Sequence, residues 1–198
     1  MKNRNALIII AKYPEKGKVK TRLSGLSDDD RVRIYENLLR NTVDKLCSIT
    51  GSDTFIAFAP DSAFEYFSQF KVNLITLRKG DLGDRMYAAF EEVFNQGYKK
   101  ASLVGADIPD LSASIIMQSF EILKNNDLVF GPAKDGGYYL VGMSKLIKEV
   151  FEQVPWSSSE TLEKSLDQAG KYGYRSGFVD TLSDVDRPED IKRFGLMQ

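Results

Sequence analysis

The sequence predicts an α/β fold: one three-layer α/β/α sandwich, residues 1–198, around a mixed, mainly parallel sheet. Short apolar runs of strand length recur along the chain, beginning with the β-branched run Ala6–Ala11. Longer helix-like segments separate them, as crossovers between parallel strands require. The most polar loops, Lys12–Leu23, Gly105–Asp110 and Ala133–Gly137, fall where open α/β sheets bind ligands, beyond the strands' carboxyl ends.

The elements follow in order. Ala6–Ala11 is apolar throughout, as expected of a strand buried on both faces. After a basic loop, Ser27-Asp-Asp-Asp30 supplies an N-cap and acidic first turn for a helix to about Ile49. Thr54–Ala59 is the second strand. Ser62 and Glu65 have capping-box spacing and open a short helix to Phe70. Val72–Leu77 is the third strand, followed by a helix from about Asp84 to Gln96. Ala101–Gly105 is the fourth strand, and Ser112–Lys124 a helix. Leu128–Gly131 and Tyr138–Gly142 are strands separated by Asp135-Gly136, a hairpin-turn signal. Helices over Lys145–Phe151 and Ser158–Gln168, a strand over Tyr174–Val179 and a helix from Pro188 complete the chain. Pro188 suits the first helical position, and Glu189 and Asp190 suit the positive end of the helix dipole.

Composition narrows the chemistry. The 198 residues carry 27 Lys+Arg against 28 Asp+Glu, which excludes a globally basic nucleic-acid binder. Histidine is absent, which removes His-based catalysis and His-ligated metals. Cys47 is the single cysteine, so there is neither an intrachain disulfide nor a cysteine zinc site. Acid–base work falls to Asp, Glu, Lys or Tyr, and a bound metal is expected to be hard and oxygen-ligated. No stretch approaches the ~20 apolar residues of a membrane span. Without a signal-peptide pattern, the expected location is the cytoplasm.

Five segments carry candidate chemistry. Residues 1–25 hold seven basic groups (Lys2, Arg4, Lys12, Lys16, Lys18, Lys20, Arg22) against Glu15 alone, a local net of +6. Such a cluster after the first strand suits a polyphosphate; the alternative is a solvated basic loop. It is not a P-loop, because Val19 follows Gly17-Lys18, and no G-x-G-x-x-G is present. Asp107, in Gly105-Ala-Asp-Ile-Pro109, and Asp186, in Asp184-Val-Asp186, are separated carboxylates suited to Mg²⁺ or Mn²⁺ that keeps waters and substrate phosphates as ligands. Asp107 also reads as an ordinary turn residue, whereas the helix start at Pro188 explains Glu189 and Asp190 but not Asp184 and Asp186. Asp135 offers a carboxylate beside two glycines, where a substrate can approach the backbone closely. Arg85 follows a loop and offers a further phosphate ligand, and Trp156 reads as core or pocket wall.

Taken together, these segments resemble the GT-A-like nucleotide-diphospho-sugar transferase superfamily, which is Rossmann-related. They are most similar to a group of small glycosyltransferase-like proteins associated with radical-SAM neighbours and arsenosugar biosynthesis. The resemblance rests on Lys12-x-Pro14-x-x-Gly17-x-Val19-Lys20-Thr21-Arg22-Leu23, Asp81-Leu-Gly-x-Arg85-Met86, Gly105-x-Asp107-x-Pro109, Gly131-Pro-Ala-x-Asp135-Gly-Gly-Tyr-Tyr-Leu140 and Asp184-Val-Asp186-x-Pro188-Glu-Asp190. It implies a metal-dependent transfer from a nucleotide-diphosphate sugar to a small-molecule acceptor. Lys12, Lys20, Thr21, Arg22 and Arg85 would bind the nucleotide, Asp107 and Asp186 the Mg²⁺ or Mn²⁺, and Asp135 would act as base toward the acceptor. Two departures stand out. The first loop lacks a Gly-x-Gly-x-Arg signature, and Asp107 stands in Gly-Ala-Asp rather than Asp-x-Asp. The alternatives are a nucleotidyltransferase acting on a nucleoside triphosphate, resembling the 2-phospho-L-lactate guanylyltransferases or the molybdenum-cofactor nucleotidyltransferases, and a non-catalytic nucleotide-binding module. Donor base, acceptor and oligomeric state stay open at this level.

Overall fold

A computed structural model describes residues 5–196. Its seven strands form one sheet in the order β3-β2-β1-β4-β6-β5-β7. They are β1 (Asn5–Lys12), β2 (Ser52–Ala59), β3 (Asn73–Thr76), β4 (Lys100–Gly105), β5 (Leu128–Pro132), β6 (Tyr138–Met143) and β7 (Ser176–Phe178). β6 alone runs against the others. The helices described are α1 (Asp28–Leu46), α2 (Phe64–Ser68), α3 (Leu82–Asn95), α4 (Ala113–Ile122), α5 (Thr161–Lys171) and α6 (Pro188–Phe194). The expected α/β sandwich with a mixed, mainly parallel sheet is the fold observed.

Side chains of β1 alternate between two apolar layers. Leu7 and Ile9 join Tyr35, Leu39 and Val43 of α1 and Ile116 and Phe120 of α4. Ala6 and Ile8 join Met86, Phe90 and Val93 of α3, together with Phe151. This period-two partition is what an apolar run buried on both faces produces. A third, smaller cluster places Leu23 and Val185 against Ile34, Leu38 and Ile191, tying the first basic loop to the segment before α6.

β1 pairs with β2 on one side and β4 on the other, so the strand order reverses between β1 and β4. The crevice beyond their carboxyl ends is therefore the topological switch point, where α/β sheets bind ligands. β4 leaves the ladder at Gly105, opposite Ile10, while β1 continues to Lys12.

Two local expectations are corrected. Ser62 does not cap α2; it lies inside a 3₁₀ turn, Asp61–Ala63, and the cap residue Ala63 offers no side-chain bond. The capping box stands instead at α3, where the Asp81 carboxylate accepts the Asp84 N–H at 2.8 Å and Asp84 reciprocates. The helix expected over Lys145–Phe151 reduces to a 3₁₀ turn, Glu149–Phe151. Its first residues are tied to the start of β5, since the Ser144 N–H donates to the Asp127 carbonyl and Lys145 pairs with the Asp127 carboxylate.

Candidate active site

A cleft of about 480 Å³ opens at the switch point. Lys12, Lys20, Thr21 and Arg22 reach it from the loop after β1, Asp107 from the loop after β4, and Arg85 from the first turn of α3. Asp135 comes from the β5–β6 hairpin, and Asp186 from the segment before α6. Every candidate site residue named from the sequence thus lines one cleft. Trp156 forms part of its wall and packs so closely on α3 that a Cβ on Gly83 would lie 2.5 Å from the indole ring.

Charge is distributed differently from the simple cationic loop expected. Lys16 pairs with Asp29 and Lys18 with Glu15, both in the open. Lys20 turns inward, its side chain only 3% exposed. Its ammonium donates to Asp107 Oδ2 at 2.5 Å and to the Val185 carbonyl at 2.6 Å, and lies 3.7 Å from Asp186 Oδ1. Arg22 pairs with Asp186 Oδ2 at 2.6 Å. Lys12 and Arg85 have no ion pair among the described residues, and Arg85 Nε is buried without a partner. Lys2 and Arg4, counted in the local net charge, lie outside the described residues.

Backbone bonds assemble the acidic side. The Val185 N–H donates to the Asp107 carbonyl at 3.3 Å. Val185 itself is fully buried, so burial of this one residue holds Asp184 and Asp186 at the cleft. Leu182 bridges Ala133 as a one-residue extension of the sheet, which brings the segment to the base of the Asp135 hairpin. In that hairpin Asp135 Oδ1 accepts the Gly137 N–H at 2.9 Å, an Asx-type turn bond, and its second oxygen has no partner among the described residues. Gly136 has φ +90°, and a Cβ there would collide with the Ser159 carbonyl; only glycine fits this turn.

Two cleft residues were not singled out from the sequence. Asp184 is pushed up to about 6, first by burial and then by the charges of Asp186, Asp107 and Asp135, with Lys20 opposing. The i, i+2 spacing in Asp184-Val-Asp186 was its only sequence signal. Tyr35 accepts the Lys12 N–H on its hydroxyl at 2.7 Å. Burial, reinforced by the charge of Asp107, raises its pKa far enough to keep the phenol protonated. Nothing in the sequence distinguishes it from a core aromatic of α1.

The donor set suits a hard cation. Asp107 and Asp186 converge on one cationic centre, the Lys20 ammonium, and both keep partial exposure to the cleft. Among the described residues no three Asp, Glu or Cys side chains cluster tightly enough to hold an ion unaided. One or two carboxylates are what Mg²⁺ commonly takes from a protein, with substrate phosphates completing its shell.

Comparison with known proteins adds family context. The family model described as "Uncharacterized protein conserved in bacteria (DUF2064)" matches residues 42–158. A 2-phospho-L-lactate guanylyltransferase of Methanocaldococcus jannaschii is 27% identical over 178 residues, covering 87% of this chain and 75% of that protein. A crystal structure of a nucleotide-diphospho-sugar transferase-like protein of Desulfovibrio desulfuricans superposes with TM-score 0.88 at 27% identity, over 97% of this chain and 87% of that one. Two more distant structures, each 14% identical, share the fold. A CMP:2-keto-3-deoxy-manno-octonic acid synthetase with CTP has TM-score 0.58, covering 96% of both chains. Rv0371c of Mycobacterium tuberculosis with manganese has TM-score 0.61, covering 98% of both.

Proposed function

The chain belongs to the DUF2064 family, and from that premise we propose that it is a metal-assisted nucleotidyltransferase, joining the nucleotidyl group of a nucleoside triphosphate to a small phosphorylated acid. The observation that carries this reading is the likeness to a guanylyltransferase over 87% of the chain. GTP is accordingly the first donor to test. This likeness favours nucleotidyl transfer over the glycosyl transfer expected first from the sequence.

In the proposed reaction an oxygen of the acceptor phosphate attacks the α-phosphorus of the donor. The bond from that phosphorus to the bridging oxygen breaks, and pyrophosphate leaves. Charge grows on the leaving group, so groups fixed around it before reaction stabilise the transition state. Lys12, unpaired at the end of β1, and Thr21 would face the phosphates, and Arg22 would join them by rotating from Asp186. Arg85, with its buried and unpartnered Nε, would hold another anionic group of the substrates. Asp107 and Asp186 would hold a divalent ion, which supplies charge neutralisation to the phosphates when bound. An acceptor phosphate is already ionised at neutral pH, so no base is needed to deprotonate it.

No helix described is long and apolar enough to cross a membrane. With its balanced charge, the chain is proposed to act in the cytoplasm, on small molecules rather than nucleic acid.

The second reading is glycosyl transfer, supported by the nucleotide-diphospho-sugar transferase-like structure at TM-score 0.88. Incubation with a panel of nucleoside triphosphates and phosphorylated hydroxy-acids, beside a panel of nucleotide sugars, separates the readings. Pyrophosphate release with a triphosphate and an acceptor is the expected result. Release of nucleoside diphosphate from a nucleotide sugar overturns it in favour of glycosyl transfer. Binding without turnover of any donor identifies a binding module.

A further inference from the structure

We propose that Lys20 is a resident counter-ion, competing with a divalent cation for the Asp107–Asp186 pair and yielding it when nucleotide phosphates enter the cleft. This inference rests on the metal-assisted reading above.

The ammonium is already surrounded by oxygens. Asp107 Oδ2 and the Val185 carbonyl accept from it at 2.5 and 2.6 Å, and Asp186 Oδ1 stands at 3.7 Å. Two carboxylates and a carbonyl are also the ligands that a hard divalent ion takes. Lys20 and a metal therefore want the same place.

The backbone is shaped to deliver this side chain. Lys20 has φ +50°, the left-handed conformation that residues with a Cβ rarely adopt. Its carbonyl accepts the Leu23 N–H at 3.0 Å, closing a turn. That turn sends Lys20 inward to 3% side-chain exposure, while Lys18 and Arg22 on either side remain 68% and 61% exposed. A strained turn with a buried cation between two acidic segments is costly unless the ammonium has a definite task there.

Charge balance makes the exchange selective. The carboxylates grouped here, Asp107, Asp135, Asp184 and Asp186, stand against Lys20 and Arg22, a net of −2 (four acids less two bases). A divalent ion entering with the ammonium in place would set two cations against the same carboxylates. Bound polyphosphate removes the conflict, because it offers the ammonium other oxygens and the metal further ligands. Metal alone should bind weakly, and metal with nucleotide strongly.

The test is Mn²⁺ binding by electron paramagnetic resonance. It uses wild type, Lys20→Met and Lys20→Arg, with and without a GTP analogue carrying a methylene between the α and β phosphorus atoms. Lys20→Met should bind Mn²⁺ alone about tenfold more tightly than wild type, the direction expected when a like charge leaves the site. Mn²⁺ alone should raise its melting temperature but not that of wild type. Lys20→Arg, which keeps the cation, should behave as wild type. If Lys20→Met does not fold, Lys20→Gln takes its place. A folded neutral variant that binds Mn²⁺ no more tightly than wild type overturns the inference, leaving the metal reading intact. Wild type that binds no Mn²⁺ even with the analogue overturns both.

Discussion

At the scale of single residues, Tyr35 has an unmet donor. Its hydroxyl accepts the Lys12 N–H, but the phenolic proton finds no acceptor among the described residues, and the side chain lines the cleft. Burial keeps that proton in place at any working pH, so it is available to a phosphate oxygen. Tyr35→Phe should retain the fold, since the ring stays in its apolar layer, and weaken nucleotide binding by about tenfold, the scale of a hydrogen bond to a charged group. Calorimetric titration checks this; unchanged affinity reduces Tyr35 to a support for β1. Asp135 separates the two transfer reactions. Transfer to an anionic phosphate needs no base, so Asp135→Asn should leave kcat within about threefold, whereas loss of a general base costs roughly 100-fold or more. Steady-state kinetics on the folded variant decides, and the larger loss would favour a hydroxyl acceptor. The candidate residues were legible because motifs and strand ends mark them. Their partners were not: Lys20 meets Asp107 across 87 positions and Arg22 meets Asp186 across 164, contacts that only the folded chain creates.

Between elements, Asp127 shows how one carboxylate organises a corner of the sheet. It accepts the Arg175 N–H at 3.0 Å and pairs with Lys145 at 3.0 Å, joining the start of β5 to the entry of β7 and to the segment after β6. The Arg175 bond, then Lys145, holds its carboxyl below the usual range. A carboxylate depressed in the folded state stabilises above its unfolded pKa, and that stabilisation is lost as pH falls through the folded value. Asp127→Asn should therefore be less stable than wild type at pH 7 by at most about 1 kcal/mol, given solvent screening of a partly exposed pair. Urea denaturation should show the gap closing in strong acid; an equal gap at both pH values removes the charge argument. The same corner explains the missed helix over Lys145–Phe151. Helical spacing was present, but Ser144 and Lys145 find partners on Asp127, and Ile147, Val150 and Phe151 are buried along an irregular path. Local pattern fixes an element well where caps and periodicity agree, as at α1. There Ser27 accepts the Asp30 N–H, and Asp28, Asp29 and Asp30 fill the first turn.

For the molecule as a whole, the strand order places the first and last functional segments together. The loop after β1 and the segment before α6 are distant in sequence, yet Leu23 and Val185 share one apolar cluster, and Lys20 and Arg22 reach across to Asp107, Val185 and Asp186. The α/β class followed from alternating apolar runs, but the sheet order that makes this meeting possible depends on pairings such as β4 with β6, which no local pattern encodes. One ligand bridging the two segments should order them as a unit. Hydrogen exchange followed with and without Mg²⁺ and GTP should show slowed exchange in residues 13–26 and 182–187 together, over the same range of nucleotide concentration. Opening of local regions is governed by their own free energies, and a ligand bound across two of them raises both by the same binding term. Slowing should also reach the Asp135 hairpin, whose first residues are bonded to Leu182. Protection confined to residues 13–26 would mean that the basic loop binds phosphate without the aspartates. In that case the Asp107–Asp186 pair would serve only to anchor Lys20, and the metal would have to be sought elsewhere.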